Sequence, residues 1–265
     1  MTVWLNGEWL DDEAAGPGAG DRGFLLGDGL FETLRYSGGR VYRLEAHEHR
    51  LRASCQALDL TCPLDAGSLG PVIAELAERA GLPAAAIRLT LTAGRGERGL
   101  ARTGAHEPSC LITAAPLGAR PASLSLASIG LHRSGSSIAA RHKTLSYIDN
   151  VMARREARRA GADMALLLDT QGRLSGADCA NLFWLRDGRL FTPALECGVL
   201  PGTARAAIIA AMDVEQGGFG PDSLAAAECV FVTNALMGAV AVSRIDGRPA
   251  GVGQAVPAAV KAVLD

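Results

Sequence analysis

The sequence predicts a mixed α/β protein of two domains, and three observations point there. At 265 residues the chain has room for one large domain or two smaller ones with substantial cores. Short apolar runs bounded by glycine turns read as strands, and they are interspersed with longer stretches at helical spacing. Finally, Ala115-Pro116-Leu117-Gly118-Ala119-Arg120-Pro121 is bracketed by two prolines and reads as a linker. The expected division is an N-terminal domain over 1–115, a linker over 116–122 and a larger C-terminal domain over 123–265. Hydrophobic content of 48% with 20% charged residues fits a folded chain and excludes a disordered one.

The first half reads as follows. Met1 to Trp9 gives a short strand and a turn at Asn6-Gly7. Gly27 and Gly29 flank Asp28 at a tight bend, Leu30 to Tyr36 reads as a strand, and Ser37-Gly38-Gly39 turns it into Val41-Tyr42. The bend is no phosphate loop, since it has neither a third glycine nor a Gly-Lys-Ser/Thr triplet. Leu44 opens a helix carrying Leu51, Ala57 and Leu58, on which Arg50 either clamps an anion or sits in solvent. His47 and His49 lack a partner at i,i+4, so no metal site is expected. A second helix covers 69–81, and strands cover 86–93 and 109–115. Between those strands, Gly94-Arg95-Gly96-Glu97-Arg98-Gly99 is a loop fit to reach a carboxylate.

The second half opens with a strand over 123–131 and reaches Arg141-His142-Lys143-Thr144-Leu145-Ser146-Tyr147-Ile148-Asp149-Asn150. Ser146 and Asp149 resemble a capping box, with Ile148, Val151 and Met152 at helical spacing and Gly161 as a stop. Lys143 thus stands on an extended lead-in to a helix. A lysine so placed suits a Schiff base, with a solvated surface lysine as the ordinary alternative. Met164 to Asp169 is a buried strand, Thr170-Gln171-Gly172 turns it, and Leu174 begins the return. Asn181 to Leu185 pairs through an Asp187-Gly188 hairpin with Leu190 to Thr192. Gly198-Val199-Leu200-Pro201-Gly202-Thr203-Ala204-Arg205 opens a helix whose first N–H groups suit a phosphate monoester. The run from Cys229 gives a buried strand ending in Thr233-Asn234-Ala235.

Charge and cysteine usage narrow the function classes. A formal net charge of −2 gives no electrostatic case for nucleic acid or an anionic membrane. No apolar run is long enough to span a bilayer, and the N-terminus lacks the pattern of a signal peptide. Six cysteines without a C-x-x-C pair argue against zinc and a disulfide framework, and favour a reducing cytoplasm.

Taken in order, Gly27-Asp28-Gly29-Leu30-Phe31-Glu32-Thr33, His47-x-x-Arg50-Leu51, Lys143, Asn181-Leu182-Phe183-Trp184 and Gly198-Val199-Leu200-Pro201-Gly202-Thr203-x-Arg205 resemble the class IV pyridoxal-phosphate enzymes. This is the fold of branched-chain aminotransferases, D-amino acid transaminases and aminodeoxychorismate lyases, and the resemblance covers nearly the whole chain. It implies an α/β (α+β) two-domain architecture with the active site between the domains, pyridoxal 5′-phosphate as cofactor, a small amine substrate and a homodimer. Carried over residue by residue, Lys143 would hold the cofactor as a Schiff base and shuttle protons. Arg50 would pair with the phosphate, and Gly202, Thr203 and Ala204 would bind it at the helix start. Asn234 and Ala235 are assigned to the cofactor too, although Ala204 and Ala235 lack the hydroxyls common in the family. The family glutamate that faces the pyridine nitrogen falls at Gly176; Asp178, two residues on, is the expected substitute, because alternation returns it to the same face of a strand. Phe31, Arg98 and Arg95 are expected at the substrate, the arginines as carboxylate clamps. The motifs look most like aminodeoxychorismate lyase, which implies conversion of 4-amino-4-deoxychorismate to 4-aminobenzoate and pyruvate. A class IV aminotransferase acting on branched-chain or D-amino acids is the alternative, and a non-catalytic cofactor-binding relative the third reading.

Overall fold

A computed structural model describes residues 2–13, 15–103, 107–252 and 255–265. The chain forms two compact units, Met1–Gly118 with Lys143–Ser146, and Ala119–His142 with Tyr147–Asp265. Among the described residues no helix is long and apolar enough to cross a membrane, and no cluster of three or more His, Cys, Asp or Glu could hold a metal.

The first unit contains β1 (Thr2–Leu5), β2 (Glu8–Asp11), α1 (Arg22–Leu26), β3 (Gly29–Ser37), β4 (Arg40–Val41), α2 (Leu44–Ala57), α3 (Leu69–Arg79), β5 (Ala84–Thr92) and β6 (Ser109–Pro116). Its six strands run in the order β2-β1-β6-β5-β3-β4, antiparallel at every pairing. Alternation decides the faces. Leu30 and Leu34 lie opposite Leu91 and Ile87, and these join Ile112, Leu51, Ile73 and Leu76 in one core. Phe31 and Thr33 lie opposite Thr90 and Arg88, on the other face. The short α1 was not legible as periodicity; it forms because the Asp21 carboxylate accepts from the N–H groups of Gly23 (2.7 Å) and Phe24 (3.2 Å).

Lys143–Ser146 belongs with this first unit, whereas the sequence-based division assigned it to the C-terminal domain. The reason is backbone pairing along the start of β3. Phe31 N donates to the Lys143 carbonyl (2.8 Å) and Leu145 N donates to the Gly29 carbonyl (3.0 Å), with a bridge between Leu30 and Thr144.

The second unit contains β7 (Ser123–Arg133), α4 (Ile138–Arg141), α5 (Ile148–Arg159), β8 (Met164–Asp169), β9 (Leu174–Ala177), β10 (Asn181–Arg186), β11 (Arg189–Pro193), α6 (Thr203–Ala211), β12 (Val214–Gly217), β13 (Cys229–Asn234), β14 (Gly238–Ile245), β15 (Arg248–Pro249) and α7 (Ala258–Leu264). Its sheet runs β12-β11-β10-β13-β14-β7-β8-β9, with β15 on β14. β7 is parallel to both β8 and β14, and β11 is parallel to β12. Side chains alternate along β10. Phe183 joins Ala204, Ile208, Phe231, Val260 and Leu264 on the α6 and α7 side, and stacks on Phe231 at 5.3 Å. Leu182 and Trp184 enter the opposite core.

The capping box does not form. α5 begins at Ile148 behind Tyr147, with no side-chain cap, because Ser146 ends the segment paired with the first unit. β14 is a strand that the sequence reading did not include. The Asn234 side chain accepts from Leu236 N (3.1 Å) and Met237 N (3.0 Å), closing a turn and sending the chain back as β14.

Trp184 is fully buried, stacked on Phe191 at 5.7 Å and edge-on to Phe219 at 5.0 Å. Trp184→Ala is expected to cost about 3–5 kcal/mol of unfolding free energy, measured as a lowered midpoint in urea with an unchanged slope.

Candidate active site

In the first unit the site residues are organised by β3. Its outward residue Phe31 presents a ring with the Lys143 ammonium nitrogen and the Arg88 guanidinium each 4.0 Å from its centroid. Both distances suit cation–π attraction. Lys143 is half-buried and held by the two backbone hydrogen bonds described above. The chain has two lysines; the other, Lys261, is exposed on α7.

The inward neighbour, Glu32, is a carboxylate in an apolar core, 1% exposed. Arg50 of α2 holds it with two bonds, Nε to Oε1 at 2.8 Å and Nη2 to Oε2 at 2.5 Å, while His47 Nδ1 stands 2.7 Å from Oε2. Burial alone would raise the Glu32 pKa, but the His47 hydrogen bond and the Arg50 charge outweigh it and hold it at about 2. Burial also pushes the His47 pKa below its ordinary value. The Nε and Nη2 donors of Arg50 are therefore taken up by the Glu32 carboxylate, a bidentate pairing that fixes the guanidinium in place.

The second unit carries the remaining predicted residues. Gly202 precedes α6 as its N-cap with no side-chain cap, and Thr203 and Ala204 are buried in the first turn. A Cβ at Gly202 would lie 2.0 Å from Asn181 Oδ1, so only glycine lets the backbone pass here. Asn181 in turn donates to the Leu200 carbonyl (3.0 Å). The α6 start is thus a preformed row of N–H groups, which favours an anion. Asn234 is engaged in its turn and also donates to the Cys179 carbonyl at 3.4 Å, with Ala235 following it.

Asp178 departs from expectation. Its carboxylate is buried and accepts from Arg154 Nε (2.8 Å), Arg154 Nη2 (2.5 Å) and Ala165 N (2.8 Å). It ties α5 and β8 to the end of β9, and both oxygens are committed to that task. Residue 176 itself offers no carboxylate and has φ +152. At that φ a side chain is strained, and a Cβ would lie 3.1 Å from the Ala180 carbonyl.

Arg95 and Arg98 are exposed on their loop, Arg95 with its side chain against Gly20. The arginine at the Phe31 ring, beside Lys143, is Arg88, which sequence reasoning passed over. Its only sequence signal was parity with Thr90 on a strand, and nothing there says which face meets Lys143.

Acid sensitivity follows from the buried trio. His47 has a lowered folded pKa, so its stabilising contribution declines as pH falls below the unfolded value near 6.5. Glu32 contributes fully above 4.5 and loses its contribution as pH falls towards about 2. This lower limb amounts to about 3 kcal/mol. Denaturant titrations at stepped pH should show both declines, and Glu32→Gln should lose stability at neutral pH and flatten the limb between 4.5 and 2.

Comparison with known proteins gives the family. The sequence matches the amino-transferase class IV family over residues 29–245. It is 30% identical over 260 residues to a "Putative branched-chain-amino-acid aminotransferase" of Methanocaldococcus jannaschii, covering 94% of this chain and 89% of that one. Identity to an aminodeoxychorismate lyase of Bacillus subtilis is 24% over 255 residues, covering 92% and 86%. The solved branched-chain amino acid aminotransferase of Escherichia coli superposes with a TM-score of 0.90 at 26% identity, covering 99% of this chain and 91% of that one. The chain belongs to the class IV aminotransferase family, and it is a pyridoxal-phosphate-dependent enzyme.

Proposed function

We propose that the protein is a lyase converting 4-amino-4-deoxychorismate to 4-aminobenzoate and pyruvate. The observation that carries this reading is the pair of cations on one aromatic ring, Lys143 and Arg88 at Phe31. A Schiff-base lysine needs an amine-bearing substrate, and an adjacent guanidinium favours one that also carries a carboxylate. Aminodeoxychorismate has two carboxylates. A branched-chain amino acid has one carboxylate and an aliphatic side chain, and so offers a guanidinium fewer anionic partners.

Pyridoxal phosphate fits the donor set. In the second unit the N–H groups at the start of α6 supply anion donors, and the lack of room for a Cβ at Gly202 keeps that backbone available; in the first unit Lys143 supplies the amine. When bound, the cofactor supplies the carbonyl carbon that takes up the substrate amine, and a ring that withdraws electrons. Lys143 would be the residue that yields this carbon to the substrate. Its freed Nζ would then take the proton from the amine-bearing ring carbon. The departing enolpyruvate gains a proton and becomes pyruvate, so the reaction needs no oxidant and no second substrate. Phe31 gives Lys143 a fixed wall, and Arg88 orients a substrate carboxylate.

Gly176 and the committed Asp178 also weigh towards the lyase. Without a carboxylate at position 176 the protein does less to strengthen electron withdrawal. An elimination that ends in an aromatic ring carries its own driving force and asks less of the cofactor than a 1,3-proton shift does. The aminotransferase reading rests on the branched-chain relatives, and it predicts release of a keto acid from an amino acid.

Cofactor-loaded protein incubated with 4-amino-4-deoxychorismate should release 4-aminobenzoate and pyruvate in equal amounts, and Lys143→Ala should abolish both. Arg88→Ala should raise KM about 10- to 100-fold with a smaller change in kcat, the signature of lost substrate binding. Keto acid formed from amino acids, with no 4-aminobenzoate, would replace this reading with the aminotransferase.

A further inference from the structure

Outside the residues already assigned a task, the second unit buries a hydroxyl that makes no hydrogen bond. Thr233 lies near the end of β13 with 0% of its surface exposed, and its Oγ1 has no partner among the described residues. Such a group is costly to bury. Valine has nearly the same shape without the hydroxyl, and β13 carries valine at Val230 and Val232. A threonine at this position therefore weakens the fold unless a bound group satisfies its hydroxyl.

The surroundings of Thr233 indicate that group. Register sets Thr233 directly opposite Asn181 of β10, and such a pair shares one face of the sheet with Cβ atoms about 5 Å apart. The Asn181 side chain reaches the start of α6. It donates to the Leu200 carbonyl (3.0 Å), and its Oδ1 lies 2.0 Å from where a Cβ at Gly202 would stand. Parity agrees, because Phe231, two residues before Thr233, packs with Ala204 and Ile208 of α6. Thr233 thus lies on the α6 side of the sheet, level with the start of a nine-residue helix that has no side-chain cap. Arg205 Nε is also buried without a partner among the described residues, but its guanidinium runs the other way across the sheet. There Nη2 donates to the Pro193 carbonyl (3.1 Å) on β11 and to Gln216 Oε1 (2.8 Å) on β12.

We propose that Thr233 is a cofactor-binding residue whose hydroxyl donates to the phosphate monoester held at the start of α6. The assignment rests on that helix start being the phosphate site. A phosphate dianion has only acceptor oxygens, so it takes donors alone: backbone N–H groups from the helix and one O–H from the strand. Ala204 and Ala235 bring no side-chain donor, which leaves that part to Thr233. The hydroxyl that destabilises the cofactor-free chain then stabilises the loaded one.

The test titrates the full chain, freed of cofactor, with pyridoxal 5′-phosphate and with pyridoxal, which differ by the phosphate. Thr233→Val should raise Kd for pyridoxal phosphate about 10- to 100-fold, the loss of one hydrogen bond to a charged group. Its Kd for pyridoxal should not change, and Thr233→Ser, which keeps the hydroxyl, should bind both like the wild type. Melting temperatures give a second readout. Thr233→Val should melt at least as high as the wild type without cofactor, and lower than the wild type when loaded. A fall in both forms would assign the hydroxyl to the fold and overturn the proposal, as would an unchanged Kd for pyridoxal phosphate. Amide hydrogen exchange separates the proposal from the site assignment beneath it: pyridoxal phosphate, and not pyridoxal, should slow exchange over 203–206 in the wild type. Slowing there with an unchanged Kd in Thr233→Val would remove Thr233 and leave the site, whereas no slowing there would remove both.

Discussion

The first unit's share of the chemistry depends on a few backbone hydrogen bonds between Lys143–Leu145 and the start of β3. The bonds from Phe31 N to the Lys143 carbonyl and from Leu145 N to the Gly29 carbonyl fix the lysine backbone beside one strand. Each such bond is worth only about 1 kcal/mol net. Their value is geometric, because they fix Lys143 on the outward side of β3, where Phe31 and Arg88 lie. A free lysine loses about 2 kcal/mol of rotamer entropy when it is held. Backbone pairing and the aromatic face share that cost.

β3 then serves two purposes by parity alone. Odd-numbered Phe31 faces Lys143, and even-numbered Glu32 faces the core, where it pairs with Arg50 and stands against His47. A buried carboxylate is costly unless it is paired and hydrogen-bonded. Here the pairing converts that cost into a rigid guanidinium on α2. One strand thus sets the position of an amine on one face and of a paired guanidinium on the other. In the second unit Asp178 shows the same logic put to structural use. It gathers Arg154 and the Ala165 N–H at the end of β9, holding a helix and two strands together.

Much of this was legible in the residues. Glycine and aspartate turns marked the hairpins at 37–39 and 187–188, because few other residues adopt those backbone angles. The order of short motifs singled out Lys143, and the spacing before Arg205 indicated the α6 start. What escaped depended on contacts in three dimensions. Asp178 was expected to replace the carboxylate missing at Gly176, and its oxygens are taken instead by Arg154 and the Ala165 N–H, partners on other elements that no local motif announces. Ser146 was expected to cap α5, and its segment pairs with β3 instead, leaving Tyr147 before the helix. Arg88 gave no motif. Its role emerges only when a segment more than fifty residues later in the chain lies against the same ring. The return of the chain at Asn234 turned on a side chain accepting two N–H groups, an asparagine turn that hydrophobic periodicity does not register.

The central claim, that Lys143 is the cofactor-bearing amine, can be read directly because the chain has one competing lysine, Lys261. Protein loaded with pyridoxal phosphate would be reduced with borohydride, digested and mapped by mass. The account predicts one phosphopyridoxyl group per chain, on the peptide containing Lys143. A label on Lys261, or an even split between the two lysines, would contradict it.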